Sequence, residues 1–304
     1  MQQHSIHRRK PFVALAMSFV LPGFGQLYNG EPNKAIWLFL CFALLSIPGV
    51  AVIALYLPPP LMVSALTLGL VLTLAIWVFG MVDAWRVAGR LQDHVLAPWQ
   101  LSGIYALTFL LCNALAMPLL INYVREHQVG SYRIPSQSME PSVLQGDILF
   151  ADKRYNRPEA STAVRRGDVA IFTYPNNRTL NYIKRVVALP GDRVRVAGHA
   201  VWVNDTPLTL HEARTADGID VTESIDGRQW HVKWAPTAQP APVLELTVPP
   251  GQAFVLGDNR STSTDARHFG SVPLFDIVGK ARQIWFSSDA RTGVRWARFG
   301  TVLE

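Results

Sequence analysis

Cysteine is scarce in this chain of 304 residues: Cys41 and Cys112 are the two present, and both lie within long apolar segments. The polar part of the chain therefore has no thiol with which to form a disulfide or a thiolate metal site. Because a region that needs no disulfide folds in either redox environment, cysteine usage does not assign a compartment.

Neither half of the chain carries a large excess of charge of one sign. The formal net charge is +6, and up to Glu126 there are seven Lys and Arg against four Asp and Glu, which leaves 21 against 18 of the totals of 28 and 22. A surplus of about three positive charges in each part, without clusters, provides no electrostatic footprint for nucleic acid. We expect no nucleic-acid partner.

Several familiar catalytic patterns are missing as well. The histidines of the polar half are not at a metal-ligand spacing such as H-x-x-x-H, so we expect no metal. No serine lies in a G-x-S-x-G elbow, and the glycines are scattered turn glycines rather than a phosphate-binding loop. A Ser-His-Asp triad stays open at this point, since its members meet only in space.

Long apolar runs, by contrast, fill the first 124 residues. Three segments, near 35–57, 61–82 and 101–124, are long and uncharged enough to cross about 30 Å of hydrocarbon as helices. We therefore predict a membrane-anchoring helical region over residues 1–124 with about three transmembrane helices.

A fourth apolar segment, 12–28, is short and broken by Pro22, Gly23 and Gly25, which predicts a short hairpin rather than a span. Basic residues precede it as in a signal peptide, but no small-residue cleavage site follows, so we expect it to be retained. The stretch Leu-Pro-Gly-Phe-Gly-Gln-Leu-Tyr-Asn-Gly at 21–30 resembles the Gly-rich start of a family of small two-helix membrane modules.

Positive charges beside the spans set the expected orientation. His-Arg-Arg-Lys at 7–10, Lys34 and the pair Arg86 and Arg90 favour the cytoplasmic side. With three spans all of these charges fall inside, and the chain after the third span emerges outside. A fourth span would instead place the polar domain in the cytoplasm.

From Ser131 onward, short period-two or continuous apolar runs alternate with Gly, Pro, Asn and Asp. No helical period of useful length occurs, so residues 125–304 are predicted to form an all-β barrel or sandwich. The polar stretch 204–242 predicts an insertion of about 197–247 that forms a separate lobe or long hairpins away from the rest of the domain. The predicted strands are 148–152, 168–174, 183–189, 193–197, 200–203, 229–234, 243–248, 253–257 and 279–287.

Two features of the polar half suggest nucleophilic chemistry. Ser136, Ser138 and Ser142 crowd one stretch after the last apolar segment, which is either a polar loop or the site of a nucleophile. A serine needs a base, and a lysine serves when burial lowers its pKa and leaves it neutral. Lys184 lies in an apolar segment and is the candidate; the alternative is a lysine whose ammonium group reaches solvent at a strand edge.

Four sequence boxes strengthen the hypothesis of a serine nucleophile with a lysine base. Pro-Ser-Gln-Ser-Met-Glu-Pro-Ser-Val at 135–143 resembles the nucleophile box of type I signal peptidases, and Arg-Gly-Asp-Val-Ala-Ile-Phe at 166–172 resembles their next box. Tyr-Ile-Lys-Arg-Val-Val-Ala-Leu-Pro-Gly-Asp at 182–192 resembles the lysine box, and 248–260 with 263–270 resembles the last. The resemblance covers most of 131–287 in the family's order. It implies a mostly-β catalytic core with a serine/lysine dyad and no cofactor.

Carried over by position, the resemblance implies that Ser138 is the nucleophile and Lys184 the general base. Ser136 would join the Ser138 N–H in the oxyanion hole, and Ser263 would hydrogen-bond and orient the lysine amine. The residues implied as structural support are Arg185, Gly257, Asp258, Asp265 and Arg267. Those implied as walls of the substrate pockets are Tyr132, Ile134, Pro135, Met139, Tyr182 and Ile183.

Two features depart from the family's pattern. The chain reads Thr-Ser-Thr-Asp-Ala-Arg at 262–267 where the family often has Asn-Ser-x-Asp-Ser-Arg, so that an Asn and a second Ser are replaced. The apolar region is also longer than the one or two spans common in the family, so its role is not implied.

The implied activity is that of signal peptidase I, a serine endopeptidase that removes N-terminal signal peptides after an Ala-x-Ala-like motif through an acyl-enzyme. The implied partners are exported preproteins, the lipid bilayer and the secretion machinery, in a bacterial inner membrane with the catalytic domain on the periplasmic side. Two alternatives stay open: a specialised peptidase that matures a dedicated pilus or conjugation substrate, and a catalytically inactive membrane-anchored β domain that binds exported peptides.

Overall fold

The computed structural model describes residues 6–155, 163–236 and 241–303. The chain divides into two units, Met1–Glu126 and His127–Glu304, each with its own internal packing. Residues 237–240 of the expected insertion lie outside the described ranges.

The first unit is helical. A π-helical segment, Leu111–Ala116, joins its last two helices into one continuous helix, and two short strands, β1 (Ile6–His7) and β2 (His94–Val95), pair with each other. The helices are α1 (Pro11–Val20), α2 (Phe24–Asn29), α3 (Pro32–Tyr56), α4 (Pro59–Arg90), α5 (Ser102–Leu110) and α6 (Met117–His127).

Among the described residues, three helical stretches are long and apolar enough to cross a membrane: Pro32–Tyr56, Pro60–Arg90 and Ser102–His127. The expected three long apolar helices are therefore confirmed. Helix α1 has 10 residues, which corresponds to a length of about 15 Å and is too short to span a bilayer. It ends before Gly23, so the predicted short hairpin is present as two short helices.

Helix α2 is attached to α4 by buried side-chain amides. Gln26 Nε2 donates to Gly80 O at 2.8 Å and to Asp83 at 2.9 Å, and Asn29 Nδ2 donates to Ala84 O at 2.8 Å. A Cβ atom on Gly25 would lie 2.2 Å from the carbonyl oxygen of Ala14 in α1. The glycine is needed there because the two backbones approach more closely than any side chain allows.

The second unit is mostly β, and all of its strand pairs are antiparallel. The strands are β3 (Val129–Arg133), β4 (Asp147–Asp152), β5 (Val169–Thr173), β6 (Asn181–Ala188), β7 (Arg193–Gly198), β8 (Ala200–Val203), β9 (Thr206–Pro207), β10 (Thr209–Thr215), β11 (Gly218–Ile225), β12 (Arg228–Trp234), β13 (Ala241–Thr247), β14 (Gln252–Leu256), β15 (Val272–Pro273), β16 (Ile277–Asp289) and β17 (Gly293–Val294).

These strands form three sheets. The largest has the order β15-β14-β6-β5-β16-β4-β3, with β17 beside β16; the others have the orders β13-β7-β8-β9 and β10-β11-β12. Every predicted strand is present within two residues of its expected bounds. The expectation of no helix was too strict, because the short helix α7 (Ala266–Phe269) follows the last sequence box.

The central strands β5 and β6 are covered on both faces. Phe172, Val186 and Phe254 belong to one hydrophobic cluster, which we name the first core, whereas Ile171 and Ile183 belong to a second core with Met139. Successive residues of a strand point to opposite faces. A strand buried on both faces therefore reads as a continuous apolar run, as the segments 169–172 and 186–189 do.

The insertion does not lie away from the rest of the domain, and this expectation was wrong. The Lys233 N–H donates to Asp258 O at 2.9 Å, and the Arg260 N–H donates to Lys233 O at 2.9 Å. Strand β12 of the insertion therefore pairs with the turn that follows β14. The polar sequence of the insertion gave no sign of this contact, because its bonds are made by the backbone.

Candidate active site

The segment that carries Ser138 is closed and anchored by its neighbours. Ile134 O accepts a backbone hydrogen bond from the Gly146 N–H at 2.8 Å, which closes the loop. Met139 and Val143 are fully buried in the second core. These apolar contacts fix the backbone on either side of Ser138, whose own side chain remains partly exposed.

Asn259 ties this loop to the turn after β14. Its N–H donates to Ser138 O at 3.1 Å, and its side-chain amide donates to Gln137 O at 3.2 Å. The carbonyl groups of residues 137 and 138 are thereby held toward Asn259.

Lys184 is placed by strand β6, where it lies directly opposite Ala170 of β5. Its Nζ lies 2.8 Å from Ser138 Oγ and donates to Ile183 O at 3.0 Å. Only 3% of the residue is exposed, and Nζ lies 5.5 Å from the centroid of the Tyr182 ring. The alternative of a lysine reaching solvent at a strand edge is thus excluded.

Burial lowers the pKa of Lys184 from 10.5 to about 8, because the charged ammonium loses its hydration there. The carboxylates of Asp265 and Asp258 oppose this effect by stabilising the ammonium, and Arg267 adds to the lowering. A pKa of about 8 leaves a substantial neutral fraction near neutral pH, and the neutral amine can accept a proton from a hydroxyl.

Two further predicted serines lie near the pair in different ways. Ser136 is exposed, with its Oγ 3.3 Å from Ser138 Oγ. Ser263 is buried, and its hydroxyl helps to lower the pKa of Asp265. The implied hydrogen bond from Ser263 to the lysine is not formed: the Ser263 hydroxyl has no hydrogen-bond partner among the described residues.

Gly257 allows the loops to meet. A Cβ atom on this residue would lie 2.1 Å from Ser263 Oγ and 2.5 Å from Ser138 O. Contacts this short exclude any side chain, so glycine is required for Ser263 and the Ser138 backbone to approach each other.

The predicted support network consists of two ion pairs. Arg185 donates two hydrogen bonds to Asp258, at 2.9 and 2.7 Å, with both side chains buried. Asp265 receives Arg267 Nε at 2.8 Å and the Gly257 N–H at 2.9 Å. Burial alone would raise the pKa of Asp265, but these hydrogen bonds hold the pKa below its usual value.

Ser142 also belongs to this network. Its Oγ accepts from Arg185 Nη2 at 3.2 Å. The loop that carries Ser138 is therefore connected to the Arg185–Asp258 pair.

The insertion contributes two charged contacts next to the site. Lys233 Nζ lies 2.6 Å from the carboxylate of Glu140 in the Ser138 loop. Glu223 is buried and accepts from both terminal nitrogens of Arg260, at 2.6 and 2.5 Å, and from Trp230 Nε1 at 2.9 Å. An ion pair buried in this way is sensitive to loss of either partner, since the remaining charge would be unpaired.

A cavity of about 250 Å³ opens beside the pair. Ser136, Ser138 and Lys184 line it together with three of the six predicted pocket residues, Pro135, Tyr182 and Ile183. Ile134 is buried and lines an adjacent cavity, whereas Met139 and Tyr132 pack in the second core. These three therefore do not form walls of the cavity next to Ser138. The remaining lining residues are Asn181, Thr262 and Thr264.

Several of these residues were missed by the sequence analysis. Asn259 lies inside a recognised box, so position could have drawn attention to it. The two threonines occupy the stretch that departs from the family pattern, and the departure itself was the signal. Glu140 and Arg260 also lie inside quoted boxes, but their partners Lys233 and Glu223 gave no signal, because the pairs join positions 93 and 37 residues apart.

Comparison with known proteins identifies similar chains. The family described as "Signal peptidase, peptidase S26" matches residues 105–286. The chain is 29% identical to "Signal peptidase I" of Rickettsia typhi over 60% of this chain and 78% of that protein, and 33% identical to "Signal peptidase I" of Pseudomonas aeruginosa over 55% and 68%. A crystal structure of a signal peptidase I from Enterococcus faecalis V583 is 24% identical and covers 39% of this chain and 97% of that one, with a TM-score of 0.27.

The burial of Lys184 predicts a stability effect. Its pKa is lowered on folding from 10.5 to about 8. Below pH 8 the lysine is protonated in both the folded and the unfolded state, and the whole cost of burying its charge lowers the free energy of unfolding. This cost decreases as the pH rises toward 10.5. Lys184→Met should therefore raise the free energy of unfolding at pH 7 by up to about 3 kcal/mol. Denaturant unfolding of the full chain in detergent, followed at pH 7 and pH 10, measures this.

The control is Lys153→Met, at a less buried lysine, which should change the stability little at either pH. A Lys184→Met protein that is no more stable than its parent at pH 7 would show that burial of this ammonium carries no penalty.

Proposed function

Since the chain belongs to the signal peptidase family, peptidase S26, we propose that it is a serine endopeptidase that removes N-terminal signal peptides from exported preproteins. Ser138 is the nucleophile and Lys184 the general base. The observation that carries the proposal is the 2.8 Å contact between Lys184 Nζ and Ser138 Oγ, made by a buried lysine whose pKa is lowered to about 8.

The first half of the reaction forms an acyl-enzyme. Neutral Lys184 accepts the proton of the Ser138 hydroxyl as Oγ attacks the scissile carbonyl carbon. The carbonyl oxygen takes up the negative charge of the tetrahedral intermediate, and the Ser136 hydroxyl and the Ser138 N–H donate to it. Lys184, now an ammonium, gives its proton to the leaving amine as the C–N bond breaks, which leaves the signal peptide esterified to Ser138.

The second half releases the signal peptide. A water molecule gives a proton to Lys184 and attacks the ester, and the proton returns to Ser138 Oγ as the C–O bond breaks. Ile183 O accepts a hydrogen bond from Lys184 Nζ at 3.0 Å. This bond turns the remaining hydrogen and lone-pair positions of Nζ toward the reacting atoms in both halves of the reaction.

The cavity beside Ser138 supports binding of an extended peptide substrate. Its volume is about 250 Å³, and Pro135, Tyr182 and Ile183 supply rigid apolar walls. An extended substrate would send alternate side chains into this cavity and into the adjacent one, which Pro135 also lines. That spacing fits an Ala-x-Ala motif.

The helical unit fits a protein that works at a membrane. Three helices are apolar and long enough to span it. The proposed setting is a bacterial inner membrane, with the cations at 7–10, Lys34, Arg86 and Arg90 on the cytoplasmic side and the peptidase domain on the periplasmic side. The partners there are preproteins, lipid and the secretion machinery.

A narrower role is the second candidate. The family match begins at residue 105, so the preceding hundred or so residues lie outside it and are free to recruit a dedicated substrate, such as a pilus or conjugation protein. Cleavage of unrelated Ala-x-Ala preproteins at similar rates would exclude this role.

Substitution of the dyad tests the chemistry. We expect Ser138→Ala and Lys184→Ala to lower kcat/KM for an Ala-x-Ala preprotein by about a thousandfold or more, because each removes a group that acts in every turnover. In the parent, kcat/KM should rise with pH and level off above about 8, as Lys184 becomes neutral. The assay uses the full chain in detergent.

Ser271→Ala, at a partly exposed serine after α7, is the matched control and should keep full activity. Ser136→Ala should fold normally and lose activity only in part. A Ser138→Ala or Lys184→Ala protein with more than about a tenth of the parental rate would contradict the dyad, since a residual rate in such variants is normally far lower.

The orientation of the chain in the membrane can be measured separately. A reporter fused after Glu304 should read as extracytoplasmic, because three spans carry the chain across the membrane an odd number of times. A cytoplasmic reading of the reporter would refute the proposed topology while leaving the dyad untouched.

A further inference from the structure

The first unit contains a groove between the helices α1 and α5. It encloses about 640 Å³ and is lined on one side by Lys10, Val13 and Met17 and on the other by Ser102, Tyr105 and Phe109. These positions follow the i, i+3, i+7 spacing of a single helix face. The lined stretch of each helix therefore runs for about 10 Å.

Positive charge is concentrated at one end of the groove. Arg8, Arg9 and Lys10 all line it, and no Asp or Glu does so among the described residues. The starts of both helices meet at Tyr28, whose hydroxyl accepts from the Lys10 N–H at 3.3 Å and whose carbonyl oxygen accepts from Gln100 Nε2 at 3.1 Å. The basic end is thereby held in a fixed geometry.

Arg9 is the unusual member of this group. Only 6% of the residue is exposed, and its guanidinium lies 4.2 Å from the centroid of the Tyr28 ring. Its Nε and Nη2 are buried and donate no hydrogen bond to any residue that the structure describes. The Tyr105 hydroxyl, which also lies in the groove, is buried and has no hydrogen-bond partner among the residues that the structure describes. Buried donors without acceptors are costly, and a guanidinium is suited to a bidentate bond with phosphate.

The other end of the groove is apolar. Val13, Met17 and Phe109 line it, and Phe24 lies beneath, with its ring centroid 6.1 Å from that of Phe109. A small inorganic anion would use only the basic end and leave this apolar surface uncovered. A molecule with an anionic head and a hydrocarbon chain matches both ends.

The place of the basic residues in the sequence also fits a molecule with an anionic head and a hydrocarbon chain. Arg8, Arg9 and Lys10 directly precede the apolar helix α1, and Ser102 begins a candidate span. Cations that flank apolar helices lie at the level of the lipid head groups, and basic pockets between such helices bind anionic head groups.

We propose that the groove between α1 and α5 is a binding site for one anionic phospholipid, with the head-group phosphate on Arg9, flanked by Arg8 and Lys10, and an acyl chain between the two helices. The proposed peptidase chemistry assigns no role to this site, and the family match, 105–286, includes only Tyr105, Ala106 and Phe109 of the residues that line it. The site is complete within the first unit and does not depend on the proposed peptidase activity.

Native mass spectrometry of the full chain, released from detergent, tests the proposal with phosphatidylglycerol as the probe. Phosphatidylcholine with the same acyl chains and inorganic phosphate serve as reference probes. A negative charge near several Lys and Arg gains roughly fivefold in affinity per cation. We therefore expect phosphatidylglycerol to bind at least tenfold more tightly than phosphatidylcholine, and millimolar inorganic phosphate not to displace it.

Arg9→Gln should lower the affinity for phosphatidylglycerol at least fivefold, whereas Arg90→Gln, at an exposed arginine outside the groove, should leave it within twofold. Ala106→Trp, which fills the groove without changing charge, should weaken binding of both lipids. If Arg9→Gln unfolds, the Ala106→Trp variant and the lipid selectivity of the parent test the proposed lipid site instead.

Equal binding of the two lipids, equal effects of Arg9→Gln and Arg90→Gln in folded protein, or displacement of the lipid by inorganic phosphate would each overturn the proposal. The last outcome would identify a site for a free anion instead.

Discussion

The proposed chemistry of the second unit depends on the burial of one amine. Lys184 Nζ is enclosed between strand β6, the Ser138 loop and the Tyr182 ring, and its contact with Ser138 Oγ is 2.8 Å long. Its pKa falls to about 8, which makes the lysine usable as a base but costs folding free energy whenever it is protonated. The two hydrophobic cores on either face of β5 and β6 offset this cost.

The loops around the lysine are held by groups that are themselves buried. Gly257 lets Ser263 and the Ser138 backbone approach closely, and Asn259 bonds to the carbonyl of Ser138. The Arg185–Asp258 pair joins β6 to the turn after β14, and the Arg260–Glu223 pair joins that turn to the insertion. Because no loop is held by a single contact, the proposed nucleophile and base keep their geometry although they come from separate parts of the chain.

The strands and the long apolar helices could be predicted because both are local patterns: three apolar segments long enough for a bilayer, and short β-rich runs between turn residues. The meeting of Ser138 and Lys184, 46 residues apart, could be expected only through the resemblance to a family. Lys233–Glu140 and Arg260–Glu223 could not be predicted, since charge pairing across distant strands leaves no periodic signal. For the same reason the polar insertion was placed away from the site, although backbone bonds attach it there.

The proposed reaction requires that Ser138 become acylated with the help of Lys184. The most direct measurement uses an Ala-x-Ala peptide as its p-nitrophenyl ester, because a good leaving group makes acylation faster than deacylation and lets the intermediate accumulate. After an acid quench, intact-mass and peptide-mass analysis should find the acyl group on the peptide that contains Ser138, and none in the Lys184→Ala protein. An acyl group on another residue, or undiminished acylation without Lys184, would contradict the account.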